Sequence, residues 1–154
     1  MRFFGNDQIH AELSASYVYR AMAAFFERDD VALHGFHKWA SESAKEESEH
    51  ANEFTEYQNK RGGRVQWKAL EAPKTEWRSP LEALEDALRL EKSVNEKLMN
   101  LHRTADESND DAFADFIEDF LKEQVDAIKK LADQITNLKR VGDGLGVYMF
   151  DKDL

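Results

Sequence analysis

Apolar residues recur along this chain at intervals of three and four in four long runs, and polar side chains interrupt each run on its apolar face. The first run extends from about Asn6 to Arg28 and is broken by Asp29-Asp30. The second extends from about Val31 to Lys60 and stops at Gly62-Gly63, a helix stop signal. An irregular stretch follows from about Arg64 to Arg78. The third run opens with Ser79-Pro80-Leu81-Glu82: Ser79 is the N-cap, Pro80 takes the first helical position, and Glu82 closes a capping box. It reaches about Glu107. After the turn Ser108-Asn109-Asp110, a fourth run continues to about Arg140. Gly142-Asp143-Gly144 breaks the chain once more, and the segment from Leu145 to Leu154 reads as a short fifth helix.

Connection lengths set the topology. The first-to-second and third-to-fourth links are short, which makes each pair an antiparallel hairpin. The second helix is on the order of 40 Å long at ~1.5 Å per residue. The linker after it, roughly 15 residues at ~3.3 Å each, can run that whole length. Helices two and three are therefore parallel and joined by one crossover. The expected fold is all-α, a four-helix bundle with one long crossover plus a short C-terminal helix. It forms one domain over residues 1–154, with the bundle at about 6–140 and the last helix at about 144–153.

The interruptions carry the chemistry. On the second helix Phe36, Ser43, His50 and Tyr57 share a seven-residue spacing, with Ala40, Glu47 and Phe54 beside them, so Glu47 and His50 face inward together. The third stripe is Leu81, Leu84, Leu88, Glu91, Val94 and Leu98, with Glu91 inside it. The fourth is Phe113, Phe116, Phe120, Gln124, Ile128, Leu131 and Ile135, with Gln124 inside it. On the first helix Ile9, Glu12, Ser16, Tyr19 and Ala23 share a face. Unpaired core carboxylates cost several kcal/mol each or must be protonated, and no lysine or arginine stands in these stripes to neutralise them. A pair of divalent cations would. Each residue alone has a plainer reading: a surface Glu-x-x-His, a solvated Glu91, a hydrogen-bonded core glutamine, a core tyrosine. Together, one set per helix, they point to two metals bridged by a carboxylate inside a bundle. Ligands without sulfur suit iron or manganese better than copper(I) or structural zinc.

Composition narrows the alternatives. The chain has 154 residues, 42% hydrophobic and 34% charged, with two prolines and no cysteine. Disulfides, thiolate zinc, iron–sulfur clusters and cysteine nucleophiles are excluded. The net charge of −10 disfavours nucleic acid and favours cationic ligands. No segment has the run of roughly 18 apolar residues that spans a bilayer. The start, Met1-Arg2-Phe3-Phe4-Gly5, is less apolar than a secretory signal requires, so a cytoplasmic protein is expected.

Longer matches give a family. Glu12-Leu13-Ser14-Ala15-Ser16-Tyr17-Val18-Tyr19, Arg28-Asp29-Asp30-Val31-Ala32-Leu33 and Glu46-Glu47-Ser48-Glu49-His50-Ala51 resemble ferritin, specifically its catalytic heavy-chain type. So do Asn59-Lys60-Arg61-Gly62-Gly63-Arg64, Leu90-Glu91-Lys92-Ser93-Val94-Asn95, Glu123-Gln124-Val125 and the ending Tyr148-Met149-Phe150-Asp151-Lys152. The resemblance implies a ferroxidase centre that takes two iron ions transiently. Glu12, Glu47 and His50 form its first site, Glu47 is the bridge, Glu91 and Gln124 form the second site, and Tyr19 stands beside them. It implies oxidation of Fe(II) by dioxygen or peroxide and storage as a ferric oxyhydroxide mineral in a hollow homo-oligomeric cage of twenty-four subunits. Asp115 and Glu118 match three-fold channel carboxylates, Glu46 and Glu49 match nucleation carboxylates, and Leu145 and Met149 fall where a four-fold pore is lined.

The chain also departs from that pattern. It starts late in the first helix, which is expected to shorten that helix and omit an N-terminal arm. One residue fewer between Glu118 and Glu123 resembles prokaryotic ferritins. A single residue rotates a helix by ~100°, which brings Asp119 into consideration for a channel role. Gln124-x-x-Ala127 replaces the Glu-x-x-His of symmetric di-iron proteins, implying a looser second ion. Asn52 stands for a nucleation glutamate, and Asp153 stands near the four-fold pore. The rival readings are an inactive structural shell subunit and a di-iron oxidase or peroxidase of the rubrerythrin type.

Overall fold

The computed structural model describes residues 5–154 as five helices: α1 (Asn6–Glu27), α2 (His34–Lys60), α3 (Pro80–Glu107), α4 (Asp111–Val141) and α5 (Leu145–Asp153). The opening Met1-Arg2-Phe3-Phe4, weighed above against a secretory signal, lies outside the described residues. No helix among the described residues is long and apolar enough to cross a membrane.

Local chemistry fixes the helix ends. Ser79 is extended and its Oγ accepts from the Glu82 N–H at 3.2 Å, with Pro80 opening α3. The expected capping box is displaced: Glu82 Oε2 accepts from the Arg78 N–H at 2.6 Å. Arg78 Nε and Lys74 Nζ also lie against this carboxylate, at 3.4 Å and 3.0 Å. They draw it back past the N-cap. Asp110 caps α4 by accepting from the Phe113 N–H, and it pairs with both Nη atoms of Arg61 beyond the end of α2. The second helix starts at His34 rather than Val31. Val31 and Ala32 donate their N–H groups to the Arg28 carbonyl, Ala32 is left-handed at φ 51°, and the Leu33 N–H returns to the Phe26 carbonyl. That closed turn uses the residues the sequence pattern assigns to the first helical turn.

The crossover runs along α1. Asn6 Nδ2 donates to the Arg64 carbonyl, His10 Nε2 sits 3.0 Å from the Ala69 oxygen, and Trp77 packs on Phe25 with ring centres 5.4 Å apart. The linker thus passes from the beginning of α1 to its end, where α2 also begins. Helices α2 and α3 are parallel, as the linker length requires. Trp77 is the anchor: it is buried and donates Nε1 to Asp86 at 2.8 Å.

The interior is apolar at both ends and polar between. One cluster gathers Met22, Phe26, Phe36, Ala40, Leu84, Leu131 and Ile135. The other gathers Ile9, Phe54, Val94, Leu98, Phe113, Ile117 and Phe120. Helix α5 docks on the start of α2, where Asp151 Oδ1 accepts from the Phe36 N–H at 2.9 Å and Phe150 stacks on Phe36. A Cβ on Gly35 would lie 1.9 Å from the Asp151 carbonyl oxygen, so this dock needs bare backbone.

Candidate metal centre

Between the two apolar clusters, Glu12, Glu47, Glu91 and Gln124 are all buried, one from each long helix. The i,i+3 spacing on α2 sets His50 beside Glu47. His50 Nδ1 lies 3.7 Å from Glu12 Oε2 and 3.6 Å from Glu47 Oε2. Glu12, Glu47 and His50 form the one group of three or more His, Cys, Asp or Glu residues among those described whose ligand atoms converge within 4.8 Å. Glu12 Oε2 and Glu47 Oε2 are buried without any hydrogen-bond partner. A buried orphan carboxylate oxygen costs about 1–3 kcal/mol or more. Two of them aimed at an imidazole nitrogen form a donor set suited to a hard divalent cation.

Protons balance this group when no cation is bound. Burial, and then the neighbouring Glu12 carboxylate, push the Glu47 carboxyl up to about 10. Burial alone would lower His50, but the Glu12 and Glu47 carboxylates outweigh it and hold the imidazole up at about 11. Glu12 is opposed by burial yet held below its ordinary value by Glu47, His50 and Gln8. At neutral pH the trio is one carboxylate, one carboxylic acid and one imidazolium, with no net charge.

The other three residues form a closed hydrogen-bonded cluster. The Tyr19 hydroxyl donates to Glu91 Oε1 at 2.6 Å, and Gln124 Nε2 donates to Glu91 Oε2 at 3.0 Å and to the Glu91 carbonyl at 3.1 Å. Burial and then Glu91 raise the Tyr19 phenol well above its ordinary value. Glu91 thus has both oxygens engaged, whereas Oε2 of Glu12 and Oε2 of Glu47 are open. Ala127 leaves room beside Gln124. A cavity of about 500 Å³ reaches this level from the α2–α4 face, lined by Tyr19, Glu47, His50, Glu91, Gln124 and Ala127.

The remaining candidates lie elsewhere or further out. Glu46 and Glu49 are exposed on α2 and line the outer part of the same cavity. Asn52 is exposed on α2. Asp115, Glu118 and Asp119 are exposed on α4, and Glu118 Oε1 meets His102 Nε2 at 3.4 Å. Leu145, Met149 and Asp153 are exposed on α5. Two residues bearing on the trio escaped the pattern. Gln8 donates to Glu12 Oε1 at 2.9 Å, and Glu123 Oε2 lies 3.1 Å from His50 Nε2. Gln8 is four positions before Glu12, a neighbour spacing that could have flagged it; Glu123 is mostly exposed and gives no such signal.

A family model described as a ferritin-like domain matches residues 6–141. The chain is 54% identical to the soma ferritin of Lymnaea stagnalis over 150 residues, covering 96% of this chain and 86% of that protein. It is 51% identical to the ferritin heavy chain of Echinococcus granulosus, covering 96% and 87%. It is 52% identical to the chloroplastic ferritin-1 of Brassica napus, covering 97% of this chain and 61% of that longer protein. With a family match across all four long helices and half the residues shared along nearly the whole length, the chain belongs to the ferritin family.

Proposed function

We propose that this chain, acting as one ferritin-like domain, oxidises Fe(II) at a paired-ion centre and stores the product as ferric mineral. The observation that carries the reading is the pair of buried, partnerless oxygens on Glu12 and Glu47 facing His50 Nδ1. Glu12, Glu47 and His50 take the first Fe(II). Glu47, which lines the same cavity as Glu91 and Gln124, would bridge to a second Fe(II) held by those two residues. For that second ion Gln124 must turn its amide so that oxygen replaces the donating nitrogen, which makes this site the looser one. Two Fe(II) ions supply two electrons to one dioxygen, which becomes hydrogen peroxide on taking up two protons. Anionic oxygen ligands stabilise Fe(III) over Fe(II) and so favour the transfer. Tyr19 keeps Glu91 oriented through its hydroxyl.

The storage half of the reading rests on the ferritin names of the relatives. It includes a shell of twenty-four copies, with Asp115 and Glu118 at the entry channel and Leu145 and Met149 at the four-fold axis. Glu46 and Glu49 would receive product at the outer part of the cavity. The cytoplasm is the proposed compartment. An inactive shell subunit would have no use for two buried, partnerless carboxylate oxygens facing an imidazole nitrogen.

Fe(II) added aerobically to the protein should form ferric product, read by near-ultraviolet absorbance, at least ~10²-fold faster than in buffer, an ordinary contribution for placed catalytic groups. The double substitution Glu47→Ala, His50→Ala should remove the acceleration. Wild-type protein no faster than buffer, or a double variant as fast as wild type, contradicts the proposal.

A further inference from the structure

Two of the first ion's three ligands, Glu12 and His50, have a second polar atom that a neighbour already occupies. Gln8 is only 2% exposed and gives Nε2 to Glu12 Oε1 at 2.9 Å. One helical turn separates them on α1, which sets the amide beside the carboxylate. On the far side, His50 Nε2 lies 3.1 Å from Glu123 Oε2, contributed by α4. What stays open on these two is Oε2 of Glu12 and Nδ1 of His50, and these are the atoms that converge with Glu47 Oε2.

We propose that Gln8 and Glu123 are positioning residues of the first iron site, holding Glu12 to single-oxygen binding through Oε2 and His50 to binding through Nδ1. The proposal rests on the ferroxidase reading above. A carboxylate turns freely about its last torsion, which is broad and nearly two-fold. Without Gln8 the buried Oε1 loses this donor, and Glu12 can rotate to offer either oxygen or both. An imidazole ligand likewise needs its other nitrogen engaged to fix ring orientation and tautomer, and a carboxylate acceptor does this while raising the ring's basicity. Such outer partners are worth about 10–100-fold in metal affinity. Gln8 should sit at the high end of that range because it is buried. Glu123 should sit at the low end because water can partly replace an exposed acceptor.

Anaerobic titration of the assembled protein with Co(II), followed by visible absorption, reports both affinity and coordination geometry without any oxidation step. Gln8→Met keeps the volume but removes the donor. It should weaken the first Co(II) by 10–100-fold and change its absorption band. Glu123→Ala should weaken it about 10-fold, while Glu123→Gln, which keeps an acceptor oxygen, should restore wild-type binding. A metal-free thermal midpoint unchanged in the Glu123 variants separates positioning from folding. First-ion affinity and spectrum unchanged in both Gln8→Met and Glu123→Ala overturns the proposal. Equal loss in Glu123→Ala and Glu123→Gln overturns it for Glu123. If Glu47→Ala, His50→Ala titrates like wild type, the ion is bound elsewhere, and the ferroxidase reading falls together with the proposal.

Discussion

Glu47→Gln should yield a protein that is more stable than wild type without metal yet does not accelerate Fe(II) oxidation. Glu47 is buried with Oε2 unpartnered, and its carboxyl is raised to about 10, first by burial and then by Glu12. The folded chain therefore binds a proton that the unfolded chain, with an ordinary value of 4.5, has released at neutral pH. A group raised in this way gives its full stability below 4.5 and loses it as pH climbs toward 10. Glutamine resembles the neutral acid, does not titrate, and can donate its amide N–H to Glu12 Oε2. The gain at pH 7.5 should be up to about 4 kcal/mol, the three units between 4.5 and 7.5 at ~1.4 kcal/mol each. It should shrink toward zero near pH 4.5. Thermal unfolding of both metal-free proteins across that interval measures it. The same substitution removes the anionic bridge between the two ions, and oxidation should return to the rate in buffer. A variant that is less stable at pH 7.5 but equal at pH 4.5 would contradict the charge argument.

Binding of the first divalent ion at pH 7 should release about two protons per chain, since metal ligands must be deprotonated. The metal-free trio holds a proton on Glu47 and a second on His50, with Glu12 ionised. As ligands, Glu47 must be an anion and His50 neutral. The trio then carries two negative charges against the two positive charges of the ion, so the buried site is neutral before and after. Affinity must consequently rise with pH through the neutral range. A pH indicator in weakly buffered anaerobic solution counts the protons as Co(II) or Fe(II) is added. In Glu47→Gln the count should fall to about one, from His50 alone. Binding without proton release would mean that the trio is not held neutral by protons.

Those charges are the part of the fold that the sequence displays most clearly. A carboxylate in an apolar stripe stands out at a fixed spacing, and Glu12, Glu47, Glu91 and Gln124 are buried where the 3.6-residue period places them. Ser79-Pro80 likewise marks the start of α3 because capping is local chemistry. Long-range contacts were less visible. Trp77 lies in a stretch that reads as irregular, yet it locks the crossover onto Phe25 and Asp86. Asp151 reads as one more charge on a short helix, but its carboxylate meets a backbone N–H from a segment 115 residues earlier. The sequence pattern starts α2 three residues early because Ala32 gives no sign of its left-handed backbone. Gln8 stands at neighbour spacing to Glu12, but that spacing alone does not separate a donor to the carboxylate from a solvated glutamine. Only the folded carboxylate explains it.

On this reading, two iron ions sit side by side between these residues. Crystals soaked anaerobically in Fe(II) and measured at the iron absorption edge test it most directly. Two anomalous peaks should appear on either side of Glu47, one against Glu12 and His50, the other against Glu91 and Gln124, the second at lower occupancy. A single peak on surface carboxylates such as Glu46 and Glu49, with none between Glu12 and Glu47, would contradict it.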